Sequence, residues 1–296
     1  MSARINHIAT NSNNPRHNGM LYELVFGMWY DEDLSGPATG AVMRDGNVTL
    51  NLQARVPGYR GGLDHFGIAV DDIEDTFKKL KSDYPKIGWI DRPEKSPLPG
   101  YMSHDPAGSI FALCDKSQDQ SIVDGERPIP TNYKRWLETD PRKRCVNHYA
   151  IRTKNIEECA KFYEDVFGFE HTAGEGDDPN HYLLDGRVTL MLLPWHITTY
   201  SPEGVGGLSV TGRGPDHIGF FVEDAKVVEK EVHETFSRFA PGLSPIWVLT
   251  TKNKHSDESQ DMANILDESC PMSSYQFLDK DGVFILVGDK TFAEAM

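Results

Sequence analysis

The chain has 296 residues, of which 39% are hydrophobic and 25% charged, and a formal net charge of −15. This length allows two ordinary domains with a sizeable core. The excess of acid argues against nucleic acid or an anionic membrane as partner, since both reward clustered Lys and Arg.

The N-terminal "MSARINHIATNSNN" lacks the apolar core of a signal peptide, and no apolar run approaches membrane-spanning length. Cys114, Cys145, Cys159 and Cys270 show no paired metal-ligand spacing, so reduced thiols in a cytoplasmic protein are expected. "INHIATNS" (5–12) reads as a strand and leads into "GMLYELVFGMWY" (19–30), then a strand pair in "MRDGNVTLNL" (43–52). "LDHFGIAV" (63–70) is a second such strand. Its helix follows in "DDIEDTFKKL", where Ile73, Phe77 and Leu80 form one stripe, and a hairpin is expected over "SHDPAGSIFALCD" (103–115). Residues 116–144 are polar and Pro-bearing, a linker composition.

The third strand, "VNHYAIRT" (146–153), should turn Asn147, Tyr149 and Ile151 to one face and His148, Ala150 and Arg152 to the other. In the helix that follows, Asn155 is placed as N-cap with Glu158 completing a capping box, and Gly168 as the C-terminal glycine. "LLDGRVTLML" (183–192) repeats the strand pair of the first unit. "PDHIGFFV" (215–222) opens a fourth unit, with Ala225, Val228 and Val232 on one helix face and a hairpin over 277–289. Residues 250–274 are an insertion without counterpart in the second unit, with lid-like length and polarity.

Self-similarity organises these pieces. Each unit starts with Asn or Asp, then His, then a large apolar residue and a small one, and reads β-α-β-β-β. The fourfold repeat, the "FYEDVFGF" helix end and the "DPAG" and "DKDG" turns resemble the vicinal oxygen chelate superfamily, which includes glyoxalase I, bleomycin-resistance proteins and type I extradiol dioxygenases. The resemblance implies an α+β fold of four βαβββ modules paired into two similar open-barrel domains, 1–115 and 145–296, joined by 116–144.

His7, His65, His148 and His217 occupy equivalent first-strand positions, each followed two residues later by Ala or Gly. Imidazole is the commonest metal ligand, and two from paired strands can converge on one ion. The family adds a carboxylate, making a two-His-one-carboxylate site. Here the corresponding positions hold Ala112 and Leu286 in the even units and Asn51 and Met191 in the odd ones. A third donor must therefore come from elsewhere: His104 or Asn51 in the first half, His181 or His196 in the second. His148 and His217 are the favoured metal pair, with His7 and His65 as the second.

The resemblance implies a metal-dependent enzyme like the extradiol dioxygenases, chelating vicinal oxygens of a small aromatic or related substrate. Fe(II) is the expected ion, with Mn, Zn or Ni as alternatives. His196 is the expected proton-taking base, and Tyr275 the expected catalytic tyrosine, although Gln276 holds the family's tyrosine position. A glyoxalase-like lyase or isomerase, or a metal-free binding protein of the bleomycin-resistance kind, is the alternative. The expected partners are a small-molecule substrate and further copies of the chain.

Overall fold

The structure, a computed structural model, describes residues 3–37, 40–92, 100–118, 144–195, 214–239, 246–247 and 273–289. Residues 119–143 of the expected 116–144 linker, residues 250–272 of the 250–274 insertion and His196 lie outside the described residues.

Four β-α-β-β-β units follow one another. The first comprises β1 (Ala3–Ser12), α1 (Pro15–Phe26), β2 (Trp29–Tyr30), β3 (Ala41–Arg44) and β4 (Thr49–Ala54). The second comprises β5 (Gly62–Val70), α2 (Ile73–Asp83), β6 (Trp89–Asp91), β7 (Tyr101–His104) and β8 (Ile110–Asp115). The third comprises β9 (Arg144–Thr153), α3 (Ile156–Phe167), β10 (Glu170–Ala173), β11 (His181–Leu184) and β12 (Thr189–Pro194). The fourth comprises β13 (Gly214–Val222), α4 (Ala225–Phe239), β14 (Ile246–Trp247), β15 (Tyr275–Leu278) and β16 (Phe284–Gly288).

Units pair into two eight-stranded mixed sheets, ordered β2-β3-β4-β1-β5-β8-β7-β6 and β10-β11-β12-β9-β13-β16-β15-β14. The first strands of paired units meet antiparallel at the centre of each sheet, and each runs parallel to the last strand of its own unit. Each sheet has two free edges, so neither closes into a barrel. The α+β architecture of paired βαβββ modules in two similar halves is as expected from the repeat.

Alternation then sorts the side chains. Ile8, Leu50, Phe66, Ile68, Tyr149, Ile151, Ile218 and Ile285 turn to the helix-covered side and join one buried cluster that draws on both halves. Phe26 of α1 stacks on Phe220 of β13, and Phe66 of β5 lies against Tyr149 of β9 and Tyr163 of α3. The two sheets therefore share one core between their helix faces, and their histidine faces look away from it.

Local chemistry at α3 matches expectation at one end only. Gly168 ends the helix in the left-handed region at φ 71°, with its N–H on the Glu164 carbonyl. The capping box does not form: Asn155 Nδ2 donates to Glu158 Oε2 at 3.1 Å, so the side chains bond each other instead of the backbone N–H groups.

Candidate metal centre

Each histidine pair is built by β-bulges. Between Ile5 and His7 the β1–β5 register shifts by one residue at Asn6, and between Ala9 and Thr10 it shifts at Asp64. The β13–β9 ladder does the same at Asp216 and Asn147. A bulge re-aims side chains at one point of a strand. Here it brings the Asn or Asp before each histidine onto that histidine's Nδ1: Asn6 on His7 at 2.8 Å, Asp64 on His65 at 2.6 Å, Asn147 on His148 at 2.8 Å and Asp216 on His217 at 2.7 Å.

These partners set the tautomers. A carboxylate only accepts, so Asp64 and Asp216 hold the proton on Nδ1 of His65 and His217. Asn6 donates its Nδ2 to Cys114 Sγ at 3.2 Å, which leaves its Oδ1 to accept from His7. The Nε2 atoms then point at each other, 3.3 Å apart for His7–His65 and 3.1 Å for His148–His217. The rings stand at 90° and 89°. Two lone pairs facing at that distance repel each other unless a proton or a cation lies between them. With ligand bonds of about 2.1 Å, the separations correspond to nitrogen–ion–nitrogen angles of about 104° and about 95°, which suit adjacent ligands of one divalent ion.

The small residues have a more specific purpose than leaving room for a ligand. A Cβ on Gly219 would fall inside the His148 ring, and one on Gly67 inside the His7 ring. The glycine on one strand makes space for the histidine of the other.

Burial, followed by the neighbouring imidazole, pushes the pKa of His7 and of His148 well below the ordinary value, so both are neutral donors. Burial raises Asp216, but Arg152 and the His217 hydrogen bond outweigh it and hold the carboxyl below its usual range. Asp216 is therefore ionised and braced from both sides.

The expected third donors fare differently. Ala112 and Leu286 sit beside Gly67 and Gly219, in register and without donor atoms. His104 faces the histidine side, but its Nδ1 donates to the Asp105 carbonyl and its Nε2 accepts from Gly88 N–H. His181 falls on the helix side, where its ring bonds His171 at 2.9 Å and approaches Glu157. No group of three or more His, Cys, Asp or Glu fit to hold a metal occurs among the described residues.

Tyr275 pairs with Val287 and joins the helix-side core, on the face opposite the histidines, so the geometry gives a catalytic role there no support. Gln276 does share the face: the register runs His148, Gly219, Leu286, Gln276 across four strands. Its Oε1 is buried and has no hydrogen-bond partner. Thr189, beside His148 on β12, has an unpartnered buried Oγ1, and Asn51 in the first half has both amide atoms unpartnered. Neutral oxygens thus stand near the pairs where the acids are missing. The recurring Asn/Asp-His dipeptide carried the signal for the Nδ1 partners, and strand alternation alone hid it, since alternation sends adjacent residues to opposite faces.

Comparison with known proteins agrees with this picture. Residues 146–237 match the model of the Glyoxalase/Bleomycin resistance protein/Dioxygenase superfamily, and no curated protein sequence matches the chain. Among solved structures, the Mn(II)-bound glyoxalase from Novosphingobium aromaticivorans is similar at TM-score 0.57 and 15% identity, over 96% of this chain and 81% of that one. A catechol 2,3-dioxygenase is similar at TM-score 0.55 and 14% identity, over 96% and 87%. An extradiol ring-cleaving dioxygenase from B. fuscum is similar at TM-score 0.56 and 12% identity, over 99% and 73%. These likenesses bear out the vicinal oxygen chelate fold over the whole chain. No helix among the described residues is long and apolar enough to cross a membrane.

Proposed function

From the match of residues 146–237 to this superfamily, and from the fold the whole chain shares with its members, we propose a divalent-cation-dependent enzyme of the extradiol-dioxygenase kind, with its site on the histidine face of the C-terminal half. His148 and His217 would hold the ion. The observation that carries this reading is the convergence of their Nε2 atoms at 3.1 Å, with both Nδ1 atoms engaged by Asn147 and Asp216. Fe(II) is the ion we assign to the dioxygenase reading; Mn(II) is the ion named for the glyoxalase neighbour.

A bound divalent ion would act as a Lewis acid toward vicinal oxygens of a small substrate. The chain contributes orientation and charge. Asn147 and Asp216 keep both imidazoles turned inward, and Arg152 keeps Asp216 ionised. Gln276 Oε1 and Thr189 Oγ1 offer neutral oxygens, and Leu286 and Met191 put apolar surface where relatives have acid. A neutral donor set leaves the ion's charge uncompensated, which favours an anionic substrate oxygen. His196, outside the described residues, remains the proposed proton acceptor.

The test is metal analysis of protein expressed with Fe(II) or Mn(II), alongside O₂ uptake with a panel of catechols. His148→Ala/His217→Ala should lose the ion of the C-terminal pair, and turnover with it, while keeping its circular dichroism spectrum. Wild-type protein that retains no divalent ion would favour the second reading, a metal-free binding protein. That reading rests on the four missing carboxylates, and a single shared proton between the Nε2 atoms would satisfy it.

A further inference from the structure

The N-terminal half is not a plain copy of the C-terminal one. Two of its polar side chains are unused by the function proposed above. Asn51 is 1% exposed, and neither its amide oxygen nor its amide nitrogen has a partner. It lies in register with Ala9, which in turn faces His65, so only a methyl group separates Asn51 from that ring along the sheet. The matching residue in the other half is Met191, so the amide is not a requirement of the fold.

The second is Arg92. Its backbone continues β6, with its N–H on the Gly100 carbonyl at 2.9 Å. Gly100 precedes β7 at φ 126°, and a Cβ there would collide with the Leu113 carbonyl and press on Cys114 of β8, so the glycine lets the two backbones come this close. Arg92 comes close enough to Cys114, Asp64 and His7 for charges on them to interact with its own. Asp64 is already bonded to His65 Nδ1 and to Asn11 Nδ2. Nη1 of Arg92 is shielded from solvent and has no hydrogen-bond partner. A buried guanidinium N–H without an acceptor is costly and calls for an anion.

We propose that the N-terminal histidine face is a second ligand site, separate from the C-terminal one, that takes a small carboxylate-bearing molecule. Arg92 holds the carboxylate, and a divalent ion on His7, His65 and Asn51 takes the molecule's remaining oxygens. Two imidazoles and an amide leave the ion's full charge uncompensated, and Ala112 supplies none of the negative charge that an acid there would give. The ligand brings that charge itself.

Cobalt(II), whose visible absorption reports its ligands, and salicylate, which offers a carboxylate beside a hydroxyl, serve as probes. Wild type should bind two Co(II) per chain. His148→Ala/His217→Ala should keep one, and salicylate should bind that form and shift its Co(II) spectrum. Adding Arg92→Met should weaken salicylate by about tenfold to a hundredfold at unchanged Co(II) stoichiometry, with partial recovery in Arg92→Lys. A double variant that binds no Co(II), or salicylate affinity indifferent to Arg92, overturns the proposal. His7→Ala/His65→Ala separates the two sites: loss of all Co(II) there, with one ion kept by His148→Ala/His217→Ala, sinks the C-terminal reading and leaves this one standing. Should the double variant not fold, wild type and Arg92→Met are compared with two equivalents of Co(II). One fewer salicylate site in Arg92→Met supports the inference, and superimposable isotherms overturn it.

Discussion

At His148 the decisive neighbours are one atom short on one side and one residue long on the other. Gly219 lacks the Cβ that would enter the ring, and the bulge at Asn147 adds the residue that holds Nδ1. Gly219→Ala must therefore displace the imidazole. Metal bound by the C-terminal pair should fall at least tenfold, with a stability loss of about 1–3 kcal/mol from overpacking. Unchanged metal affinity in that variant would show that the ring has another resting place. Asn147→Leu tests the other side. It keeps both histidines but frees the ring to rotate, and losing such an orienting partner typically lowers metal affinity about 10–100-fold. Equilibrium dialysis against Mn(II) would measure it, and an affinity equal to wild type would reject the orienting role.

Whole elements were more legible than the site they carry. The four first strands, the stripes of α2 and α4 and the Asp-Gly turns stood out because burial on one face writes a period into the sequence and a tight turn restricts its residues. The histidine pairs were legible for the same reason, being face-specific. What periodicity could not show was the four bulges that break it and the commitment of His104 to its own hairpin; the turn of Tyr275 into the core, with Gln276 on the histidine face, follows the alternation itself. The hairpin aspartates had a further unread role. Asp45 Oδ1 accepts from Asn47 and Val48 N–H within its turn, while Oδ2 accepts from Val146 N–H of β9 at 2.7 Å. Asp45→Ala would leave three donors without that acceptor, two of them belonging to buried residues, and should cost about 3 kcal/mol or more in urea unfolding. A loss below about 1 kcal/mol would mean that water replaces the carboxylate.

Across the molecule these aspartates form two matched couples that join the halves. Asp45 takes Val146 N–H while Asp185 takes Ile5 N–H, and Asp105 takes the Tyr163 hydroxyl at 3.2 Å while Asp279 takes that of Tyr22 at 2.9 Å. Each half thus clasps the first strand and the first helix of the other. Burial pushes Asp45 and Asp279 up to about 6, and also raises Asp105 and Asp185. An unfolded chain releases these protons near 3.8. The folded state therefore binds more protons between those values, and the associated stability is complete below about 3.8 and lost as pH rises through about 6. His7 and His148, held below the ordinary imidazole value, act in the opposite direction: their contribution is present above about 6.5 and lost on acidification. A variant isolates the first effect from the second. Asp279→Asn cannot gain a proton, so wild type should pull ahead of it by about 1.4 kcal/mol as pH falls from 7.5 to 5, roughly half of the full linkage for a rise from 3.8 to about 6. Urea unfolding of metal-free protein at pH 5, 6 and 7.5 would show the gap widening toward acid. A gap that stays constant, or widens toward pH 7.5, would mean that the clasp holds Asp279 as a carboxylate throughout, stabilised by its hydrogen bonds from Asn18, Tyr22 and the turn more than it is penalised by burial.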